Sequence, residues 1–283
     1  MTKTIITLII VALSAMAAVA KVSQEDYQLY DVSAKEVVGF SQVLPRLLEK
    51  RIVLVGEHHN NEDHHKIQLK VIEALHESGK QLAIGMEMFR AESQEALNQW
   101  HRGEMTQKRF QRLYYENWNF PWPLYGKIFN YAERSNIPLV GLNVPSEITR
   151  QVARKGFESL SKDQRQMLPD ITCDVSPDYM SFIKRAYGAH AHGKMNFDNF
   201  CEAQLVWDKA MAIHALNYLK DHPNYSMVLI AGTGHAWRRG IPEEIRQRSR
   251  VPYAVILPHV PKNIEPGRIT VKDADYIWLD QPK

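Results

Sequence analysis

Four short runs of branched apolar residues constrain this chain most: Arg51–Gly56 (RIVLVG), Leu82–Glu87 (LAIGME), Pro138–Asn143 (PLVGLN) and Met227–Gly232 (MVLIAG). None alternates cleanly between apolar and polar residues. Runs of this kind suit strands buried on both faces, as in a parallel sheet. Val251–Leu257 and Ala274–Leu279 read as two later strands. The segments between the early runs carry helical spacing. Glu62–Ser78 carries apolar Ile67, Leu69, Val71, Ile72 and Leu75 and stops at Gly79, and Ala91–His101, Met105–Tyr115 and Pro121–Arg134 follow. Strand and helix in this alternation predict an α/β fold, a mostly parallel sheet flanked by helices.

No strand pattern occurs between residues 145 and 225, which read as an inserted helical subdomain. The expected organisation is a signal peptide at 1–20, an α/β core formed by 21–144 and 226–283, and the insertion at 145–225. The leader reading rests on Lys3, an apolar run from Ile5 to Ala18 and the small-residue site Ala18-Val19-Ala20, with cleavage after Ala20. It places the protein outside the cytoplasm, in the periplasm or at the outer membrane. No later run is long enough to span a bilayer. The 283 residues carry a formal charge of only +3, with Lys and Arg interspersed among Asp and Glu, which argues against nucleic acid as a partner. Cys173 and Cys201 suit a disulfide or two separate buried thiols equally well.

The strand ends carry the chemistry. The first run leads into Gly56-Glu57-His58-His59-Asn60-Asn61-Glu62-Asp63-His64-His65, with four of the chain's 12 histidines. The second ends at Glu87, the third at Asn143, and the fourth leads to His235. Carboxyl ends of parallel strands line the ligand crevice in open α/β sheets, so these residues are expected to converge. Gly56-Glu57-His58-His59 and Gly232-Thr233-Gly234-His235 share the spacing Gly-x-x-His. Glu57, His59 and His235 are the leading candidates for one site, with Glu87 beside them. Asn60 to Asp63 read as a helix cap and first turn. His64 and His65 read as helix residues in partial contact with solvent, and His58 has an equally weak claim. Gln204 and Asp208 stack on one face of a long helix from about Asp198 to Leu219, from which Asp208 is expected either to orient His59 or His235 or to sit in solvent. No His-Glu-x-x-His and no Gly-x-Ser-x-Gly occurs.

With these motifs in order, the chain resembles the superfamily of ChaN-type haem-binding proteins, Tiki metalloproteases and erythromycin esterases. VLVGEHHNNEDHH, IGMEMF, NQW, AQLVWDKAMA and LIAGTGHAWRRGIP are most similar to the ChaN branch, from about Arg51 to Pro242. The resemblance implies an exported haem-uptake protein, a Tyr-ligated ferric haem, and two haems stacked face to face across a homodimer. It further suggests an outer-membrane haem receptor as partner. Some members are lipoproteins, whereas this chain has no lipid-accepting Cys near its leader. The stretch SFIKRAYGAHAHGK offers Tyr187 as the axial ligand, with His190 or His192 supporting it, and Lys184 and Arg185 for the propionates. Tyr179 is the next candidate. The alternative is a hydrolase of the Tiki or erythromycin esterase kind. It would use Glu57, His59, His235 and Asp208, either around a divalent metal at Glu57, His59 and His235 or as metal-free acid and base groups.

Overall fold

The computed structural model describes residues 27–166, 168, 177, 179–181, 183–184 and 196–279. The expected leader, Cys173, Arg185, Tyr187, His190 and His192 lie outside the described residues.

Eight strands form one sheet in the order β2-β1-β8-β7-β3-β6-β4-β5. The four early runs become β3 (Ile52–Glu57), β4 (Leu82–Arg90), β5 (Leu139–Asn143) and β6 (Ser226–Gly232). Together with β7 (Tyr253–Pro258) and β8 (Tyr276–Trp278) they pair in parallel throughout. An antiparallel hairpin, β1 (Gln28–Asp31) and β2 (Glu36–Gly39), extends the edge beyond β8. The sheet is therefore mixed and mostly parallel, with helices on both faces.

Every residue of β3 and of β6 is buried, so each strand packs on both sides. Val53, Val55, Ile84, Met86, Val228 and Ile230 face one cluster with Val71, Ile72 and Leu75 of α2 (Glu62–Glu77) and Tyr125, Ile128 and Phe129 of α5 (Trp122–Arg134). The same layer receives α1 (Phe40–Leu48), α3 (Gln94–His101) and α4 (Gln107–Asn117). The alternate residues Ile52, Leu54, Met227, Leu229 and Ala231 face a second cluster on the opposite side. That side holds α8 (Phe197–Asp221), α9 (Thr233–Ala236) and α10 (Ile241–Arg248). Burying both faces this way is what the period of two in a strand demands.

A third cluster joins α6 (Ser146–Lys155) to the first half of α8 through Ile148, Val152, Phe200, Ala203 and Val206, with Tyr179 and Ile183. The short helix α7 (Lys162–Gln166) follows α6 along the chain. The second half of α8, with Met211, Ala212, Ala215 and Leu219, packs directly on the sheet. The described helices between 145 and 225 are therefore tied to the core through α8, and Cys201 is buried in the third cluster. Among the described residues no helix is long and apolar enough to cross a membrane.

Topology sets the location of the crevice. The chain leaves β3 through α2 and returns in β4, passing β6; it leaves β6 through α9 and α10 and returns in β7, passing β3. The two connections run in opposite directions over opposite faces. The gap opens between the carboxyl ends of β3 and β6, where an open α/β sheet takes its ligands.

Candidate functional site

Glu57 is the last residue of β3 and is 1% exposed. Four donors surround its carboxylate. On Oε1 lie the Tyr125 hydroxyl at 2.5 Å and His59 Nδ1 at 2.6 Å. On Oε2 lie Gln68 Nε2 at 2.7 Å and His65 Nδ1 at 3.0 Å. Burial alone would raise this carboxyl, but hydrogen bonds from His59 and His65, with the charges of both, bring it down to about 2. Tyr125 answers in the opposite sense: burial and the Glu57 charge hold its phenol well above the usual range.

The next helix explains why these donors arrive together. Asn61 caps α2, its side-chain oxygen accepting the Asp63 and His64 backbone N–H groups. His64, His65 and Gln68 then share a face with Val71, Ile72 and Leu75, turned toward the sheet. His64 and His65 are therefore buried, at 3% and 4% exposure, where partial solvation was expected. His64 Nδ1 accepts the His58 N–H at 2.8 Å and fixes the turn after β3. His65 has oxygen on both sides, Glu57 and Gln68 at Nδ1 and the His59 carbonyl at Nε2, 3.1 Å away. Its pKa is raised despite burial, because these acceptors favour the imidazolium. His58 is exposed and stands outside the group.

His59 and His235 form two carboxylate-tethered imidazoles facing each other. His59 Nδ1 is held by Glu57, and its ring stands edge-on to Trp118 at 5.0 Å between centroids and beside Phe120 at 5.1 Å. His235 lies in α9, immediately after β6, and its Nδ1 meets Asp208 Oδ1 at 2.7 Å. Asp208 is buried in α8 and also accepts the Tyr179 hydroxyl at 3.0 Å. Of the two sequence expectations for Asp208, the structure realises the one that orients His235. Both free Nε2 atoms turn toward Glu87 Oε1, 4.0 Å from His59 and 3.7 Å from His235. Glu87 Oε2 is fixed by the Gly232 N–H at 2.6 Å. The absence of a side chain at Gly232 leaves room for the His59 ring: a Cβ there would lie 3.0 Å from His59 Cε1 and 3.1 Å from Nε2, close enough that the ring would have to shift.

The electrostatics differ between the two rings. Burial alone would lower His235, but Glu87 and Asp208 raise it to about 9. Burial pushes Asp208 upward, opposed by the His235 charge. His59 also lies above its usual value, where burial is outweighed by the Glu57 hydrogen bond and the Glu87 charge.

The convergence expected for Glu57, His59, Glu87 and His235 is therefore present, and Asp208 joins it. Asn143 is turned elsewhere, its side-chain amide donating to the Glu87 carbonyl at 2.8 Å. Two members escaped sequence reasoning: Gln68, a polar residue on an apolar helix face, and Tyr125, which reads as an ordinary core aromatic. The divalent metal expected at Glu57, His59 and His235 finds no support. Among the described residues no group of three or more His, Cys, Asp or Glu side chains is arranged to hold a metal ion. The physical reason is visible at Glu57, whose two oxygens already carry four donors. Tyr179, second in line as haem ligand, is buried against Asp208, and burial with the Asp208 charge raises its phenol well above the usual value. Lys184 is exposed, with its ammonium 6.0 Å from the centre of the Phe197 ring.

The sequence model for the family described as haem-binding uptake, Tiki superfamily, ChaN matches residues 43–245. Among solved structures the chain is similar to the one described as cofacial haem binding to ChaN of Campylobacter jejuni. The TM-score is 0.72 at 18% identity, covering 89% of this chain and 96% of that one. It is also similar to an erythromycin esterase, EreC, in its open conformation, with a TM-score of 0.49 at 15% identity over 89% of this chain and 81% of that one. A curated relative is the Arabidopsis thaliana protein RETICULATA-RELATED 5, chloroplastic, 27% identical over 133 residues, or 44% of this chain. The chain spans 18% of that plant protein's length. On the match to residues 43–245, this chain belongs to the ChaN family of haem-binding uptake proteins in the Tiki superfamily.

Proposed function

We propose that the protein is an exported haem carrier that binds ferric haem through Tyr187 at a homodimer interface and acts in haem and iron uptake. The observation that carries this reading is the family match over residues 43–245. The fold shared with the Campylobacter jejuni protein, which binds haem cofacially, supports it. Tyr187, His190, His192 and Arg185 lie outside the described residues, so their roles rest on chemistry. An anionic phenolate oxygen suits ferric haem, and cations suit its propionates. Lys184 beside Phe197 supplies such a cation next to an apolar ring. Export through a leader cleaved after Ala20 and delivery by an outer-membrane haem receptor belong to the same proposal. Titration of the protein with hemin tests it. The expected results are a saturable new haem spectrum, haem-promoted dimers in sizing experiments, and loss of most affinity in Tyr187→Phe. An unchanged spectrum in wild type, or unchanged affinity in the variant, refutes the ligand assignment.

A second reading has one observation in its favour. His59 and His235 each hold a carboxylate at Nδ1 and present Nε2 to the crevice around Glu87. That is the arrangement of a general base and a general acid. If the crevice hydrolyses esters or amides, His59→Ala and His235→Ala each abolish turnover while hemin binding survives. Retention of full hydrolytic activity by both variants removes this reading.

A further inference from the structure

Two chains of the same make meet in the crevice. On one side Tyr125, Glu57 and His59 are joined hydroxyl to carboxylate to imidazole. On the other the Tyr179 hydroxyl donates to Asp208 Oδ2 at 3.0 Å, and Asp208 Oδ1 meets His235 Nδ1 at 2.7 Å. The first chain belongs to the core, with Tyr125 on α5 in the first cluster. The second starts in the helical insertion. Tyr179 is helical and 5% exposed, and it packs in the third cluster with Ile183, Phe200 and Val206.

The two carboxylates are not equally held. Glu57 has four donors. Asp208, at 1% exposure, has two among the described residues, Tyr179 and His235, one on each oxygen. The pair fixes the plane of the carboxylate, and a carboxylate held at Nδ1 fixes the tautomer and direction of the ring. His235 Nε2 is thereby aimed at Glu87 Oε1, 3.7 Å away. Without the hydroxyl, Oδ2 would be a buried charged acceptor missing its donor, an arrangement that native proteins rarely keep. Four further titratable groups face this chain: Glu87 from β4, His59 from the turn after β3, Cys201 from α8, and Glu244 from α10, itself paired with Arg248.

We propose that Tyr179 is a positioning residue of the crevice: it fixes the Asp208 carboxylate that orients His235, so that the helical insertion completes the site. Its use to the protein rests on the reading in which both histidines serve an acid–base reaction. Its test does not, because the ring is observed directly.

NMR titration of the histidine ring nitrogens in the 15N-labelled whole protein tests the assignment. His235 titrates at about 9. Once it loses its proton, Asp208 is left as a bare carboxylate, the state that misses the hydroxyl most. Tyr179→Phe should therefore move the His235 midpoint upward by about 0.5 to 1 in pH, a threefold to tenfold change in proton affinity, and leave His59 in place. Tyr125→Phe should do the reverse. An unmoved His235 midpoint in Tyr179→Phe overturns the proposal, as does an equal movement of His235 in both variants. Wild type supplies a second measurement that needs no variant to fold. The Tyr179 phenol ionises well above the usual range, so movement of its 13C-labelled Cζ resonance near pH 9 comes through Asp208. That resonance is expected to follow the His235 titration, and a flat response overturns the proposal. Wild type that cleaves neither esters nor amides but shows both NMR effects removes the hydrolase reading and leaves Tyr179 in its role.

Discussion

Removing a single oxygen, in Tyr125→Phe, probes how the buried carboxylate of the crevice is held. The ring of Tyr125 is fully buried and packs 6.2 Å from Phe129, and Phe keeps that contact, so the cost is that of the hydroxyl alone. The lost bond, 2.5 Å to Glu57 Oε1, serves a charged acceptor, and such bonds contribute about 1.5 to 3 kcal/mol. Tyr114 is the control. It is equally buried in the same cluster, but its hydroxyl donates to the neutral Phe120 carbonyl at 2.8 Å, worth about 1 kcal/mol. Urea unfolding at neutral pH, followed by circular dichroism with a shared slope, should show Tyr125→Phe costing about twice Tyr114→Phe. In a Glu57→Gln background the acceptor is neutral, so the cost of Tyr125→Phe should fall by about 1 kcal/mol or more. Equal costs for the two tyrosines, or strict additivity with Glu57→Gln, would show that Glu57 is not held as a charged group by this hydroxyl.

Gly232→Ala meets no backbone strain, since Gly232 has φ −53 and ψ 145, but its new methyl must push the His59 ring aside. A loss of about 1 to 3 kcal/mol, with a displaced His59 ring resonance in NMR spectra, is expected; an unmoved resonance would count against the packing argument. Stability should fall on both sides of a plateau in pH. Glu57 is lowered from 4.5 to about 2, so its contribution, about 3 kcal/mol, is present above pH 4.5 and lost as pH falls through 2. His235 is raised from 6.5 to about 9, so its contribution is present below pH 6.5 and lost as pH rises through 9. Chemical denaturation across this range should show a smaller alkaline loss in His235→Asn than in wild type, since His59 and His65 are raised too and still contribute; identical alkaline limbs would refute the assignment.

The elements that the sequence revealed are those with one physical cause. β3 and β6 are buried on both faces, and only unbroken Val, Ile and Leu runs satisfy that demand. The hairpin β1–β2 escaped because each strand has four residues and the first half of the outer one, Glu36–Gly39, is exposed, too short a run for either face to impose a pattern. Helix α1 carries Pro45 inside it, and an internal proline is ordinarily read as a break. Its apolar Phe40, Val43 and Leu47 nonetheless pack into the first cluster. The long helix was legible from its spacing, and Asp208 was placed on it for that reason. That its second half packs on the sheet was not legible, because an apolar stripe says that a face is covered and not by what.

The same distinction governs the crevice. Glu57, His59 and His235 could be assembled on paper because topology alone brings neighbouring strand ends together. Tyr125 comes from α5, 68 residues from Glu57, and Gln68 from the middle of α2. Side chains reaching across from helices have no such rule. His65 shows what a helix face adds to the crevice. It places a second imidazole on Glu57, at 3.0 Å from Oε2, while His59 holds Oε1 at 2.6 Å. A buried carboxylate left without such partners would cost several kcal/mol. The opening motif therefore turns His65 toward the sheet, where the sequence alone predicts a partly solvated helix residue, and the same contacts lower Glu57 and raise both histidines.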